Sequence, residues 1–210
     1  MNLFICISLV MISFLKAEEN VSVREDKELY QAIRILHAAA SEGGSTEAIE
    51  LWEMGDLIEL YSDLRKIAPL NVRADLLKKA ADNGSSEASF NYSIYSLRKL
   101  NNSQLFLKYL KDSSSKDHVM ATVTIILIKS FIEKNAAGAM LDLEKVRNAV
   151  PKEKLDVFDS RININTIKLL TNVIRKNDLA FLQSTAESSQ EMELLSCIQI
   201  FRDYEKLLNR

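Results

Sequence analysis

Apolar residues recur every three or four positions along nearly the whole chain. Leu29, Ile33, Leu36 and Ala40 have this spacing near the start, which places them on one face of a helix. The pair Gly43-Gly44 follows and predicts the end of that helix, because glycine readily adopts the left-handed conformation. The pattern predicts an all-α fold.

The predicted helix starts are marked by Ser, Thr, Asp or Asn ahead of an apolar periodic segment. The candidate N-caps are Ser45 or Thr46, Asn71, Ser85 or Ser86, Asp117, Asp178 and Ser189. Pro69 ends the second predicted helix at about Ile67, and Pro151 fits the first turn of a later helix. The serines 113–115 are predicted to interrupt a short helix over about 104–112. About nine helices result, joined by short loops as in antiparallel helical hairpins.

Composition supports this interpretation. The 210 residues include only 5 Gly and 2 Pro, whereas sheet proteins need many turns that draw on these two residues. The hydrophobic share of 47% can supply a core.

The chain contains an internal repeat with a period of 40. Residues 40–48, ASEGGSTEA, align with residues 80–88, AADNGSSEA. In each copy a glycine closes one helix and a serine caps the next, while a glutamate lies at the positive end of the second helix. Small alanines on both sides of the turn would let the two helices approach closely.

The second copy resembles the Sel-one-like repeat, the shorter relative of the tetratricopeptide repeat. The matching positions are Leu76, Ala80, Ala81, Gly84, Ala88 and Tyr92, and Gly44 and Ala48 carry the motif in the looser first copy. Ser93 stands where the family usually has glycine. A degraded third copy lies at 106–130, with Ala121 at the Ala88 position and Asp117 at the glycine position. A generic helix–turn–helix is the alternative.

The resemblance implies a short right-handed superhelical array of antiparallel helical hairpins, an α-solenoid. The repeats would span residues 18–134, and further hairpins would continue the array over 135–210. Members of the family act as scaffolds and adaptors that bind proteins or peptides.

The first residues predict a separate targeting segment. The run Leu3 to Leu15 has no charged side chain and is followed by Lys16 and Ala17, which fits a signal peptide over residues 1–17. An uncleaved anchor and a buried N-terminal helix are the alternatives. The apolar run Val119 to Ile128 is too short for a membrane span, so no stable span is expected after signal removal.

The net charge and the cysteine content argue against a nucleic-acid-binding protein and against a disulfide-stapled repeat protein. The net charge of −2 gives no support to nucleic-acid binding. Cys197 would be the single cysteine of the mature chain, so no intramolecular disulfide can form, and a small buried hydrophobe is its expected role. This counts against the bacterial secreted members of the family, which often staple each repeat with a disulfide.

The sequence nominates no catalytic, metal or cofactor site. His37 and His118 have no second histidine or cysteine at metal-ligand spacing, and surface or packing roles are expected for both. No nucleophile elbow, phosphate-binding loop or dinucleotide fingerprint occurs. We therefore expect neither an enzyme nor a cofactor.

Four sequons for N-glycosylation occur, at Asn20, Asn83, Asn91 and Asn101. Asn83 and Asn101 fall in predicted loops, where a glycan fits, and Asn20 follows the predicted signal peptide. Asn91 lies within a predicted helix and is the poorer candidate.

Aromatic side chains are candidates for a binding groove. Trp52, Tyr61, Tyr92 and Tyr95 lie on predicted helices, where packing between repeats is the alternative role. Tyr61 and Tyr95 are the candidates for a partner groove.

Together these features predict a secreted or endoplasmic-reticulum-lumenal adaptor, with the family resemblance pointing to protein quality control. The alternative is a secreted effector or surface protein that engages factors of another organism. A deep polar pocket with converging ionisable groups would instead indicate an enzyme. The sequence predicts neither the partner's identity nor an oligomeric state.

We predict that residues 1–17 are removed during export, because the run Leu3 to Leu15 lacks charge and ends near the small residue Ala17. N-terminal sequencing of the mature protein checks this. A mature chain that begins at Met1 would contradict it.

Overall fold

The computed structural model describes residues 23–149, 164–189 and 191–210, and these form twelve α-helices without a strand among them. The all-α prediction is confirmed. The helices are α1 Val23–Ser41, α2 Ser45–Glu53, α3 Gly55–Leu60, α4 Ser62–Ile67, α5 Leu70–Asp82, α6 Ser86–Arg98, α7 Ser103–Ser115, α8 Val119–Leu127, α9 Ala136–Ala149, α10 Ile164–Lys176, α11 Leu179–Ser189 and α12 Met192–Leu208. A π-helical segment, Ile128–Ile132, continues α8. The predicted signal peptide, Asn20 and Pro151 lie outside the described residues.

Neighbouring helices pack in sequence as an array. The hairpins α1–α2, α5–α6 and α7–α8 pack internally, and α5 and α7 each also contact the hairpin before their own. The last helix, α12, returns to pack on α8 and also contacts α6 and α7. The C-terminal helices therefore share a core with the hairpins that precede them.

Two hairpins reverse direction at a glycine in the left-handed conformation. Gly43 has φ 111° and Gly84 has φ 104°. At the second turn, the N–H of Gly84 donates to the Ala81 carbonyl at 3.0 Å and the N–H of Ser85 donates to the Ala80 carbonyl at 3.1 Å. This is the Schellman pattern, which satisfies the free carbonyls at a helix end.

The left-handed conformation recurs without glycine at four more of the described residues. Asn101 has φ 50°, Asp117 has φ 62°, Lys134 has φ 55° and Asn177 has φ 53°, and asparagine and aspartate tolerate this conformation better than most other residues. The Asp117 N–H donates to the Ser114 carbonyl at 3.2 Å. Asp117 therefore takes the conformation of Gly84, the residue with which the third copy aligns it.

The first copy of the repeat is displaced by one residue from the predicted alignment. Gly44, paired with Gly84 in the sequence, has φ −64° and is the N-cap of α2; the left-handed residue is Gly43. The sequence alone cannot show which of two adjacent glycines makes the Schellman hydrogen bonds. With the period corrected to 41 at this turn, buried Leu36 corresponds to buried Leu77, and Ala40 to Ala81.

Two of the predicted caps are confirmed. The Ser85 hydroxyl accepts from the Ala88 N–H at 3.2 Å, and the Asp178 carboxylate accepts from the Phe181 N–H at 2.9 Å. Both side chains directly follow a residue in the left-handed conformation, Gly84 and Asn177.

The other predicted caps are wrong. The N-cap positions are held by Gly44 instead of Ser45 or Thr46, by Pro69 instead of Asn71, by His118 instead of Asp117 and by Glu191 instead of Ser189. The imidazole Nδ1 of His118 accepts from the Ala121 N–H at 3.3 Å, so His118 caps α8 in place of Asp117. Asp117 instead adopts the left-handed conformation in the preceding turn.

The second predicted helix is also divided. It breaks at Met54 and at Tyr61, whose backbone is extended with φ −112°. These two bends let Leu51, Ile58 and Leu64 all reach one buried cluster with α1, which a straight helix with their spacing would not allow. The serines 113–115, in contrast, stay helical at the end of α7.

A cluster rich in alanine lies where the hairpins cross. Its buried members are Ala40, Ala48, Leu77, Ala80, Ala81, Ala88, Tyr92 and Tyr109. Leu76, a predicted motif residue, is only partly buried, whereas Leu77 is fully buried. Ala48 and Ala88 are 1% and 0% exposed, so both alanines are buried between the helices of this cluster.

We predict that Gly84→Val destabilises the protein by roughly 1–2 kcal/mol, because a β-branched residue tolerates positive φ poorly. Gly84→Asn is the matched control and should cost less, since Asn101 and Asn177 already adopt positive φ in this chain. Denaturant midpoints check both variants. Equal midpoints for valine and asparagine would show that the turn does not constrain φ in solution.

We predict that Ala48→Leu and Ala88→Leu each cost about 1–3 kcal/mol, because overpacking a close helix crossing forces its neighbours apart. Ala38→Leu, at an exposed position of α1, should stay within about 0.5 kcal/mol. Because repeats contact mainly their neighbours, hydrogen exchange should show lost protection first in the altered hairpin and the adjoining one. Unchanged stability of both buried variants would rule out the tight crossing.

Candidate functional site

A groove of about 780 Å³ lies beside the first two hairpins. Residues of α2, α3, α4, the first turn of α5 and α6 line it. Its lining residues are Trp52, Glu53, Gly55, Asp56, Glu59, Arg65, Pro69, Leu70, Arg73, Asn91, Ile94, Tyr95, Arg98 and Lys99. Cavities of this volume are typical of ligand-binding sites.

One face of α6 supplies a whole side of the groove. Asn91, Ile94, Tyr95 and Arg98 are three or four positions apart, and Lys99 follows at the helix end. The Asn91 side chain makes no hydrogen bond with any residue that the structure describes. Its amide offers both a donor and an acceptor to the groove.

The aromatic residues form a continuous series across three helices. The rings of Trp52 and Tyr95 meet edge to face with centroids 5.4 Å apart, Tyr95 contacts Tyr92 at 5.8 Å, and Tyr92 contacts Tyr109 at 4.7 Å. Burial raises the pKa of Tyr92, which belongs to the core. Tyr95, predicted as a groove residue, lines the groove. Tyr61 is 37% exposed between α3 and α4 and is not among the lining residues.

Arg73 anchors the base of the groove. Its side chain is 2% exposed, its Nε donates to the Ala68 carbonyl at 2.9 Å, and its Nη2 pairs with the Glu59 carboxylate. A Cβ on Gly55 would lie 2.5 Å from Nη1, so the absence of a side chain there makes room for the guanidinium. Burial lowers the pKa of Arg73, and the charge of Glu59 opposes that shift.

Sequence analysis did not identify Arg73 because nothing in its local pattern separates a buried arginine from an exposed one. The one available signal was indirect. Arg73 lies on the apolar side of the short amphipathic helix α5. A buried arginine needs an acidic or carbonyl partner, which here comes from other helices.

The α2–α3 side of the groove carries acidic residues. An acidic residue occurs at every third position from Glu47 to Glu59, the members being Glu47, Glu50, Glu53, Asp56 and Glu59. Burial, and then the neighbouring Glu47 and Glu53, raise the pKa of Glu50. Of these residues Glu53, Asp56 and Glu59 line the groove, where Glu59 pairs with Arg73 and Arg65 adds a positive charge.

The α6 side ends in two cations. Arg98 Nε donates to the Asp203 carboxylate of α12 at 2.8 Å, and Lys99 is exposed. Among the residues that the structure describes, no salt bridge joins Asp56 to Arg98 or to Lys99. The groove lining thus holds exposed charges of both signs, namely Asp56, Arg65 and Lys99, and none of the three forms a salt bridge with a residue that the structure describes.

The sequons differ in their positions. Asn83 is exposed at the C-terminal end of α5, and Asn101 is exposed between α6 and α7 with φ 50°. Asn91 lies on the groove side of α6 instead. Asn83 and Asn101 remain candidate glycosylation sites.

The two histidines and Cys197 make packing or hydrogen-bonding contacts within the fold or lie partly buried on a helix. His118 Nε2 lies 2.9 Å from Glu87, and its ring stacks on Phe90; His37 is half-buried on α1. Burial raises the pKa of the Cys197 thiol to about 12. In the described ranges, no three His, Cys, Asp or Glu side chains are arranged to hold a metal ion. Within the same ranges, no helix has the length and apolarity that crossing a bilayer requires.

Neither a protein-family model, nor a curated protein, nor a solved structure matches this chain. The resemblance to the Sel-one-like repeat therefore rests on the residues of the motif themselves.

We predict that Arg73→Lys destabilises the protein by about 1–3 kcal/mol, because lysine cannot direct separate donors to the Ala68 carbonyl and to Glu59. Glu59→Gln should cost less than about 1 kcal/mol, since its side chain is 48% exposed. Denaturant midpoints distinguish the two variants. Equal stability of Arg73→Lys and the original protein would mean that the arginine does not hold the base of the groove together.

Proposed function

We propose that this protein is an adaptor of the secretory pathway whose groove between α2–α3 and α6 binds a peptide segment of a partner protein. The observation that carries the proposal is the groove itself, which combines the Trp52–Tyr95 pair with an Asn91 amide that no described residue engages. The family resemblance and the predicted signal peptide support the adaptor role and the compartment.

The chemistry of the groove favours a peptide as the ligand. Trp52, Ile94 and Leu70 offer apolar contact area, and aromatic rings provide much of the binding energy in such sites. An asparagine amide can pair with the N–H and C=O groups of an extended backbone. A backbone held in this way needs no particular side chain at that position, so the surrounding residues would determine the preference.

The groups around the groove favour binding over catalysis. Arg73 is committed to Glu59 and to the Ala68 carbonyl, and Arg98 is committed to Asp203. Such pairs hold the walls in place. General acid–base chemistry would instead need an ionisable group that converges with a nucleophile on one point.

Affinity capture with a blocked groove tests the proposal. Residues 18–210 would be produced without glycans, immobilised and exposed to extracts of the protein's own source, followed by mass spectrometry. Asn91→Arg places a long side chain in the groove, and Asn148→Arg makes the same substitution at an exposed site on α9. Equal thermal midpoints for the three proteins would establish that all are folded.

We expect one set of proteins to be retained by the original chain and by Asn148→Arg but lost with Asn91→Arg. Retention of the same set by all three proteins would contradict a role for the groove.

A further inference from the structure

We infer that Nη1 of Arg73 donates hydrogen bonds to a neutral carbonyl oxygen of the bound peptide, and that Gly55 lacks a side chain so that this donor stays open to the groove. The inference rests on the proposed function and names the ligand group that the base of the groove recognises. It follows from the hydrogen bonds of one buried guanidinium and from the space around it.

The Arg73 guanidinium is hydrogen-bonded along one edge only. Nε donates to the Ala68 carbonyl at 2.9 Å and Nη2 donates to the Glu59 carboxylate, and these two nitrogens share one edge of the planar group. Nη1 projects from the other edge and carries two N–H groups. It forms no hydrogen bond with any residue that the structure describes, so both of these donors are available to a ligand.

Nη1 lies beside Gly55 at the surface of the groove. Both residues line the groove, and a Cβ on Gly55 would lie 2.5 Å from Nη1. Among the described side chains, the fully buried nitrogen and oxygen atoms without a hydrogen-bond partner are Glu50 Oε2, Ser96 Oγ and Ser130 Oγ. Nη1 is not one of them, so it keeps contact with the groove although the Arg73 side chain is only 2% exposed.

Burial makes a further acceptor favourable at this position. It removes most of the water that would otherwise solvate the guanidinium, and it lowers the pKa of Arg73. A hydrogen bond to the charged form of a group favours that form. An oxygen atom of the ligand would therefore supply the acceptor that the groove itself does not offer to Nη1.

The charge balance around Arg73 favours a neutral acceptor over a carboxylate. Glu59 already offsets the positive charge of Arg73, so a carboxylate on Nη1 would place two negative groups around one cation. Like charges brought together in this way oppose binding, whereas an amide carbonyl accepts a hydrogen bond without adding charge. Arg65 and Lys99 are exposed in the lining, and a carboxylate would meet less opposition there.

The backbone does not require a glycine at position 55. Gly55 is the first residue of α3 and is not among the described residues with positive φ. Its lack of a side chain is needed for space, because the guanidinium cannot swing aside freely while Nε and Nη2 hold the Ala68 carbonyl and Glu59. A methyl group on residue 55 would therefore cover Nη1 or displace it from the groove.

Two small probes that differ in one group provide the test. N-acetyl-leucine N-methylamide has two neutral amide carbonyls, whereas N-acetyl-leucine ends in a carboxylate. Each is titrated into residues 18–210, and ¹H–¹⁵N NMR follows the Nε–H signal of Arg73, which reports binding at this guanidinium and not at Arg65 or Lys99. We expect the neutral probe to shift this signal to saturation and to bind there about tenfold more tightly than the carboxylate probe.

A methyl group beside Nη1 tests whether this nitrogen is the donor. Gly55→Ala should weaken binding of the neutral probe about tenfold. Gly138→Ala is the matched control, because it makes the same change near the start of α9, where a Cβ would lie 2.6 Å from the Asn135 side chain and outside the groove lining. This control should bind like the original protein, and thermal midpoints establish that both variants are folded.

Glu59→Gln tests the charge argument on a protein whose residue 55 is unchanged. The substitution keeps the shape of the side chain but removes the charge that offsets Arg73, so the carboxylate probe should now bind at Arg73 more tightly than the neutral one. A purely structural role of the Arg73–Glu59 pair would leave the order of the two probes as it was.

The outcomes separate this inference from the proposed function. An Arg73 signal that the neutral probe does not move, undiminished binding by folded Gly55→Ala, or a preference of the original protein for the carboxylate probe would each overturn the inference. If the Asn91-dependent capture succeeds in the same preparations, the proposed function stands without it. Failure of the capture alone would overturn the proposed function and leave Arg73 as a carbonyl-binding site.

Discussion

In the described part of the chain, six inter-helix connections each contain one residue with positive φ. These residues are Gly43, Gly84, Asn101, Asp117, Lys134 and Asn177, and the residue that follows each of them is the N-cap of the next helix. A turn this short brings the ends of two helices close together, so the side chains between them must be small. The alanine-rich cluster at the first two hairpins is the direct consequence.

The groove arises where this regular pattern is interrupted. Between α2 and α5 the chain forms two short helices instead of turning at once, and their buried residues pack back on α1. Residues of α3 and α6 both line the groove beside Trp52. Arg73 then fills the base of that space, where the carbonyl at the end of α4 and the Glu59 carboxylate provide its hydrogen bonds.

The parts of this fold that sequence analysis identified are those governed by local rules. The helical period, Gly84 as a left-handed residue and Ser85 as an N-cap all depend on a few adjacent residues. The register of Gly43 and Gly44 was missed by one position because both residues satisfy the local rule, and only the hydrogen bonds of the preceding turn distinguish them.

The parts that were not identified depend on contacts distant in sequence. The bends at Met54 and Tyr61 are favourable because Leu51, Ile58 and Leu64 gain burial against α1. Neither a glycine nor a proline lies next to Tyr61 to indicate the second bend. For the groove, Tyr95 was a candidate, but Asn91, Asp56 and Arg73 were not. Their relevance comes from the insertion of α3 and α4, which no repeat motif encodes.

For a peptide ligand of the kind proposed, the charged residues of the groove would bear on selectivity more than on affinity. In the free protein, water solvates exposed charges such as Asp56 and Lys99, so leaving them unpaired costs little. A ligand that covers them removes this water and must replace it, and a peptide without the matching charges would leave them desolvated and unpaired. The apolar surface of Trp52 and Ile94 would attract many peptides about equally. If the groove binds peptides as proposed, discrimination among them would therefore fall to the charged residues that line it.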